Sequence, residues 1–476
     1  EDVKVFGTNP NLTELLHINP FRFPKEIHVL EHIDRLIEIF NVCWPMYAAM
    51  PAILKEAIIQ AYRKCGWDLD LSINFKNDNF FPTFTDLLEE LKNVIKLSEY
   101  SEEVKSNYIG SLTTRVKSLT NGLNGRIFSS NEINNEILFD TNVIVDLSRV
   151  GSQETKSLLM GVLVMRLSEH RMATSKTSNK KLHHVTVLEE AHNILRAKNS
   201  ASSVEGSNVA EKAVEMISNA IAEMRTYGEG FIIVDQSPSA VDISAIRNTN
   251  TKIIMRLPEE NDRKMAGKSA ALKEEQINEI ARLPKGVAVV YQNDWIEAVL
   301  CQINKFDGEE KDYHYRDEEI YNKKKKINST LINFILNNRL DSPDKIDLKE
   351  VEDAIENFEG STQLKIELIL LLKQYRKNGK LKLWQSDEEK ANLFKQSVIV
   401  KNILELDDVV KEFRYKTFSV QEPDYVLNTL IDQKIEKFNT EILLEIKECL
   451  VRSYLDIHRN ISELEFDTLR KNIIQL

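Results

Sequence analysis

The feature that most constrains this chain is a short apolar run that ends in two carboxylates. Residues His184 to Leu188 are rich in β-branched side chains, and Glu189 and Glu190 follow directly. Such a run predicts a buried strand, and strands that are apolar throughout are typical of parallel sheets. Because open parallel sheets bind ligands at the carboxyl ends of their strands, both carboxylates lie where a site is expected.

The paired carboxylates allow two interpretations. In a nucleotide hydrolase, Glu189 could hold Mg²⁺ directly or through water, and Glu190 could polarise the attacking water. Alternatively, both are solvated charges at the start of a helix, where the helix dipole favours acidic side chains. This stretch by itself leaves both interpretations open.

Apolar strands alternate with helical patterns through the middle of the chain. Strands are predicted at residues 141–147, 184–189, 231–235 and 251–257, followed by a hairpin within residues 287–301. Helical spacing fills the intervals between the strands. This alternation predicts an α/β fold with a parallel sheet covered by helices.

Patterning divides the chain into four parts. Residues 1–30 read as loop and short strands, which we assign to the end of the N-terminal half of a nucleotide-binding core. Residues 31–125 are mostly helical and form an inserted block. Residues 126–304 hold the alternating strands and helices of the core. Residues 305–476, rich in lysine and glutamate, form an all-helical C-terminal domain without a chemical motif.

Composition restricts the possible function classes. The formal net charge of −11 argues against a surface coated in basic charge for DNA, although a ring could still concentrate lysine and arginine in a central channel. No apolar run reaches the length of a membrane span, and no signal peptide is visible. The four cysteines have no metal-ligand spacing. We therefore expect a cytoplasmic protein that is not associated with membranes.

Two further signals surround the strand predicted at residues 231–235. Gln236 follows this strand, and a polar amide beside the carboxylates could sense a γ-phosphate or orient water. Arg225 precedes the strand at a helix end, from which it could reach a neighbouring subunit's nucleotide. Alternatively, Gln236 is a turn residue and Arg225 a cation that complements a helix dipole.

The order and spacing of these segments resemble the HerA family, within the FtsK–HerA group of P-loop DNA translocases. In that family a Walker B strand ends in Glu-Glu-Ala-His, a helix ends in Arg-x-(Tyr/Phe)-Gly, and a strand ends in Gln-Ser/Arg-Pro-Ser. The matching segments here are Glu189–His192, Arg225–Gly228 and Gln236–Ser239. The Asn-Pro-Phe segment at residues 19–21 also matches, and the resemblance covers residues 1–303.

This resemblance implies a RecA-like ATPase core and a role for each candidate residue. Glu190 would be the catalytic carboxylate, Glu189 the cofactor-binding residue that holds Mg²⁺, and Gln236 the phosphate sensor. Arg225, with Arg256 as the second candidate, would act on the nucleotide of the next subunit. His192, which follows the acids, is expected either to couple the site to neighbouring loops or simply to pack.

The resemblance also implies ATP and Mg²⁺ as cofactors and double-stranded DNA as the partner. The expected function is that of an ATP-driven DNA translocase or helicase working as a homohexamer. A nuclease or defence effector is the expected protein partner, in DNA processing or anti-phage restriction.

One motif of the family is missing from the sequence. No Gly-x-x-x-x-Gly-Lys-(Ser/Thr) loop, which would hold the phosphates, is present. Ala266–Ser269 has Asp262 where the first glycine should stand, and Gly379 has Gln374 there, so both are interpreted as decoys. The family's loop lies upstream of its Asn-Pro-Phe segment, and this sequence begins with Glu1 rather than methionine. We therefore expect the sequence to be the C-terminal part of a larger protein.

Two other functions are compatible with this sequence. A chain without the phosphate-binding loop could be a non-hydrolysing scaffold or a DNA-binding module. A type IV secretion ATPase shares the core, although the Ala191-His192 pair and the Gln-Ser-Pro-Ser ending fit the HerA pattern better.

Overall fold

The fold is described from a computed structural model of the chain. The residues it describes are 3–44, 46, 49–175, 179–196, 204–308, 318–337, 346–379, 381, 389–406, 428, 431–436, 438, 440–457 and 470, of which 204–213, 318–321, 389–391 and 454–457 are described for the backbone alone.

Ten strands and seventeen α-helices alternate along the described residues. The strands are β1 (Lys4–Gly7), β2 (Glu14–Leu15), β3 (Trp67–Asp68), β4 (Ile73–Asn74), β5 (Val143–Asp146), β6 (His184–Glu189), β7 (Glu229–Val234), β8 (Thr251–Ile254), β9 (Val287–Gln292) and β10 (Val299–Gln302). The helices up to residue 279 are α1 (Val29–Cys43), α2 (Met50–Cys65), α3 (Phe84–Leu97), α4 (Glu102–Tyr108), α5 (Thr114–Thr120), α6 (Gly122–Ile127), α7 (Asn135–Asp140), α8 (Gln153–Thr174), α9 (Val204–Met224), α10 (Ile243–Asn248), α11 (Glu260–Ser269) and α12 (Glu274–Glu279). The C-terminal helices are α13 (Glu318–Leu336), α14 (Leu348–Asn357), α15 (Thr362–Asn378), α16 (Glu389–Leu404) and α17 (Thr440–Ile457).

The strands that hold the predicted site are parallel. β6 pairs with β7 over six residues, from His184 opposite Glu229 to Glu189 opposite Val234. β1 pairs in parallel with both β2 and β5, whereas β8, β9 and β10 form an antiparallel sheet. Parallel strands combined with packed helices confirm the predicted α/β class. The antiparallel pairing of β8 with β9 departs from the single parallel sheet expected over this region.

One face of the β6–β7 ladder is exposed, although helices were expected to cover both faces of the sheet. Val185, Val187, Ile232 and Val234 are 42–53% exposed, whereas Leu188 on the opposite face is buried in the core. Because side chains alternate along a strand, Glu189 shares the exposed face. Among the described residues, helices therefore cover only one face of this ladder.

Helix boundaries follow the capping signals in the sequence. α3 begins after Thr83, because Thr83 and Asp86 form a capping box in which each side chain accepts from the other residue's backbone N–H. The Ser152 side chain accepts from the backbone N–H of Thr155 and caps α8 in the same way. Between α4 and α5 the helical backbone passes through a π-turn at Ile109–Thr113.

Three hydrophobic cores organise the described residues. The largest extends from Phe6 to Ala245 and joins α1, α2 and α3 to the strands and to α8. A second core is formed by residues from the stretch Ile254 to Val289, and a third by residues of the C-terminal helices from Leu331 to Val451. The helical block thus shares one core with the parallel strands, and the domain boundaries remain a prediction.

A buried carboxylate, Asp86, is one of the groups through which the C-terminal helices contact the helical block. Asp86 accepts hydrogen bonds from the backbone N–H groups of Thr362 and Gln363, at 3.2 and 3.3 Å, at the start of α15. Ser130 donates to the backbone carbonyl of Phe358 at 3.3 Å. Asp86 therefore caps α3 and α15 together.

Within the described part of the chain, no helix combines the length and the apolar character needed to cross a bilayer.

Candidate active site

Parallel pairing of β6 with β7 brings the predicted acid and amide together. Glu190 directly follows β6, and Gln236 is the second residue after β7. The Nε2 of Gln236 donates to Oε1 of Glu190 at 3.2 Å. The structure thus places Glu190 and Gln236 side by side at one end of the ladder. Their chemical roles stay predictions.

The backbone at Glu190 turns sharply away from the strand. Its φ of 51° and ψ of 49° lie in the left-handed region, which is costly for a residue with a Cβ. Asn193 compensates through two hydrogen bonds to the Glu190 carbonyl, from its backbone N–H at 3.0 Å and from Nδ2 at 2.7 Å. This turn separates the two acids, because Glu189 stays on the exposed strand face while Glu190 reaches towards Gln236.

Asp235 was missed by the sequence analysis and is the most connected side chain at this edge. Its Oδ2 accepts from the backbone N–H and from Nδ1 of His192, both at 2.9 Å. Its Oδ1 accepts from the backbone N–H of Ser237 at 2.9 Å. A carboxylate at the last position of a predicted strand was the available signal, but only the register of β6 against β7 shows what it binds.

Two arrangements of side chains at this edge offer metal ligands. Glu190, His192 and Asp235 each offer an atom within 4.8 Å of the others. The imidazole suits a transition metal better than Mg²⁺, which prefers oxygen ligands. Glu189 offers an exposed carboxylate next to this group, and its oxygen chemistry fits the predicted Mg²⁺ role.

The two predicted arginines lie elsewhere. Arg225 is exposed in a short 3₁₀ turn before β7, and Gln236 lies beyond the other end of that strand. The six residues of β7 separate them by about 20 Å. Arg256 is exposed shortly after β8, in the antiparallel sheet. Arg225 is therefore out of reach of the Glu190 site in its own chain.

The opposite end of the β6–β7 ladder is held by a buried ionic network that the sequence analysis did not identify. The Glu229 side chain is fully buried and accepts from Arg171 Nε at 2.8 Å, from His184 Nδ1 at 2.7 Å and from Thr186 Oγ1 at 2.6 Å. Although burial by itself raises the pKa of Glu229, these hydrogen bonds bring the pKa below its ordinary value. Arg171 also pairs with Asp140, at 2.5 Å.

The structure accounts for both decoy motifs. Ala266–Ser269 lies inside α11, and a Cβ at Gly267 would come within 2.6 Å of the Ile277 side chain. Gly379 is the left-handed C-cap of α15, with a φ of 66°. Neither glycine belongs to a strand-to-helix loop, so neither segment can cradle phosphates in the manner of a P-loop.

A cavity of about 340 Å³ lies between α1, α8 and α9, away from this edge. Arg35, Glu215 and Glu223 are the charged residues in its lining, together with apolar side chains such as Met165 and Met172. None of the predicted site residues lines it.

Known proteins similar to this chain include two archaeal helicases. The chain is 27% identical over 256 residues to the DNA double-strand break repair helicase HerA of Sulfolobus acidocaldarius, covering 48% of each protein. It is 24% identical over 311 residues to the protein of the same name from Sulfurisphaera tokodaii, covering 60% of this chain and 57% of the relative. These similarities confirm the predicted resemblance to HerA. The chain spans about half the length of the curated relatives that it matches, and no protein-family model matches it.

Solved structures show more distant similarity. VirB4 of Thermoanaerobacter pseudethanolicus has a TM-score of 0.46 and 14% identity, covering 64% of this chain and 76% of that chain. The bacterial conjugative coupling protein TrwB has a TM-score of 0.42 and 10% identity, covering 66% of this chain and 76% of that chain.

Proposed function

We propose that this protein works as an ATP-driven DNA translocase or helicase motor of the HerA type. The observation that carries the proposal is the contact of the Glu190 carboxylate with the Gln236 amide at the carboxyl ends of two parallel strands. The sequence similarity to HerA helicases supports the same assignment.

The geometry suits the hydrolysis of a phosphoanhydride. The Glu190 side chain is 37% exposed, so water can reach it, and a carboxylate there can accept a proton from an attacking water. Gln236 can donate to a phosphate oxygen or orient that water while it remains next to Glu190. The two side chains thus offer a base and a polar donor within one hydrogen bond.

The residues at this edge also fit Mg²⁺ with ATP. Glu189 would hold Mg²⁺ through its carboxylate, directly or through water, because Mg²⁺ prefers oxygen ligands. When bound, Mg²⁺ supplies positive charge that neutralises the phosphates.

We further propose the assembly and the partners that the HerA resemblance implies. A homohexameric ring would place Arg225, or alternatively Arg256, against the nucleotide of the neighbouring subunit. Double-stranded DNA would pass through the ring in the cytoplasm, where a nuclease or defence effector would act with the motor.

The proposal is tested by Glu190→Gln in the product of the complete open reading frame. The variant should bind ATP as the wild type does, while Mg²⁺-dependent turnover with DNA falls by about 10²–10⁴-fold, because the amide cannot accept the proton. Stopped-flow nucleotide binding and a phosphate-release assay measure the two quantities. Glu102→Gln, at a side chain that is 91% exposed, serves as the matched control and should leave turnover unchanged.

The same experiment separates the alternatives. Near-normal turnover in Glu190→Gln would refute the catalytic assignment. DNA binding by a wild-type protein without ATP hydrolysis would favour the non-hydrolysing scaffold or DNA-binding module, which the missing phosphate-binding motif supports. Hydrolysis that does not respond to DNA would point instead to a secretion-type ATPase.

A further inference from the structure

We propose that Asp235 and His192 are positioning residues that hold the Glu190 carboxylate against Gln236. Neither is part of the acid–amide pair, yet both lie in the two turns that carry it. The inference rests on the proposed hydrolytic function, since it concerns how Glu190 is held in place for that reaction.

The Asp235 carboxylate connects the turn after β6 to the turn after β7. Its side chain is only 6% exposed, and its two oxygens accept three hydrogen bonds. Two come from His192 in the first turn, and one comes from Ser237 in the second. A buried carboxylate is stable only when its oxygens are bonded in this way, so the two turns are tied together at a fixed separation.

The turn after β6 needs such a restraint because it is strained. Glu190 has a left-handed backbone, which is unfavourable for a residue with a side chain because its Cβ crowds the following carbonyl oxygen. Strain of this kind persists only where the surroundings impose it. Asn193 restrains the turn at the Glu190 carbonyl, and the bonds from His192 to Asp235 restrain it two residues further on.

Asp235 also determines where the imidazole proton of His192 points. Nδ1 of His192 lies 2.9 Å from Asp235 Oδ2 but 3.6 Å from Glu190 Oε2. Because a carboxylate can only accept, the Nδ1 proton is directed to Asp235. The Glu190 carboxylate is thereby left with the Gln236 amide as its hydrogen-bonded neighbour.

Loss of the Asp235 carboxylate would change this arrangement without removing any reacting group. In Asp235→Asn only one of the two terminal atoms can still accept, so either the bonds from His192 or the bond from Ser237 must break. The tie between the two turns is lost in both cases, and with it one restraint on the strained turn. A displacement of a catalytic group by about 1 Å can cost roughly 100-fold in rate. Turnover should therefore fall even though nucleotide binding is retained.

The test is Asp235→Asn in the full-length protein, made in both the wild-type and the Glu190→Gln backgrounds. We expect kcat for ATP to fall by roughly 10–100-fold in the wild-type background, while the Kd of a non-hydrolysable ATP analogue changes by less than about twofold. In the Glu190→Gln background the same substitution should have no further effect, because its action passes through Glu190.

Asp242→Asn is the matched control. Asp242 is also a buried carboxylate that accepts from nearby N–H and O–H groups, but it caps α10 outside the site. Asparagine is an equally good helix cap, so this variant should keep the wild-type kcat. His192→Ala, at a side chain that is 30% exposed, is the second variant should Asp235→Asn fail to fold, and it should show the same loss of kcat.

The outcomes distinguish this inference from the proposed function. If Glu190→Gln lowers turnover but Asp235→Asn and His192→Ala do not, the positioning role is wrong and the motor assignment stands. An additive loss in the Glu190→Gln background would likewise overturn it, because Asp235 would then act independently of Glu190. If Glu190→Gln has no effect on turnover, the proposed function is wrong. This inference is then wrong as well, because Asp235 is proposed to act only through Glu190.

Discussion

At the scale of single residues, left-handed backbone conformations occur in the turns at both ends of the β6–β7 ladder. Glu190 adopts a left-handed conformation although it carries a side chain. Gly228 also has a positive φ, of 84°, at the end of the Arg225 turn. There the residue type suits the conformation, and space is limited as well, since an added Cβ would lie 2.5 Å from the Lys181 carbonyl oxygen.

Gly228→Ala is therefore expected to destabilise the protein. The left-handed backbone and the contact with the Lys181 carbonyl together should lower the free energy of unfolding by about 2 kcal/mol or more. Urea denaturation followed by circular dichroism measures this change. Gly151→Ala provides the comparison, because nothing lies within 4 Å of the added methyl group. Equal stability of the two variants would contradict this account of Gly228.

At the scale of secondary structure elements, the β6–β7 ladder is fastened at both ends by carboxylates. Asp235 ties the turns at the carboxyl end. Glu229 ties the amino end to α8 through Arg171. The ladder that positions Glu190 beside Gln236 is thus held by polar contacts at its two ends and by the apolar core on one face.

The Glu229 network should make the stability of the protein depend on pH in acid. The pKa of Glu229 is below its ordinary value of 4.5 in the folded state, so the contribution is complete above pH of about 4.5 and is lost as the pH falls through the folded pKa. Glu229→Gln should cost about 3 kcal/mol at neutral pH, since it leaves Arg171 buried with one partner fewer. It should also flatten the dependence of unfolding free energy on pH below that value.

Denaturation curves at a series of pH values between neutrality and strong acid would test this. Asp140 also has a pKa below its ordinary value, because its hydrogen bonds from Arg171 and His170 outweigh burial, so part of the acid dependence should survive in Glu229→Gln. Glu102→Gln, at an exposed side chain, should retain the whole of it. If the unfolding free energy of Glu229→Gln depended on acid pH just as that of the wild type does, Glu229 would be ruled out as a source of this dependence.

At the scale of the whole molecule, the position of Arg225 determines whether it could act within its own chain or only on a neighbouring subunit. Arg225 and Gln236 lie at opposite ends of β7, which are about 20 Å apart. If Arg225 contacts a nucleotide, that nucleotide must belong to another subunit. The role therefore requires an oligomer, as the proposed ring supplies.

Mixing two inactive variants tests this arrangement. Arg225→Ala and Glu190→Gln should each lose most of their turnover alone, because one removes positive charge at the phosphates and the other removes the base. In mixed oligomers, an intact Glu190 can meet an intact Arg225 from the next subunit, so phosphate release should partly recover. Arg256→Ala, mixed in the same way, tests the second candidate. Absence of recovery at every mixing ratio would argue against a trans role.

The sequence by itself determined the two strands that carry the site, the cap of α3 and the meeting of acid with amide. The β-branched run ending in Glu189 and Glu190 is β6, and Thr83 marks the start of α3, because periodicity and capping are local properties of the chain. The adjacency of Glu190 and Gln236 also followed, since parallel strands bring their carboxyl ends to one edge.

Only the tertiary structure decided which side chains support that pair. Asp235, Arg171 and Glu229 looked like ordinary charges in the sequence, because their partners on other elements lie 31–58 residues away. The exposure of one face of the β6–β7 ladder could not be predicted either, since an apolar strand has the same sequence pattern whether helices cover one face or both. Local spacing encodes elements, whereas burial and long-range hydrogen bonds exist only once those elements are packed.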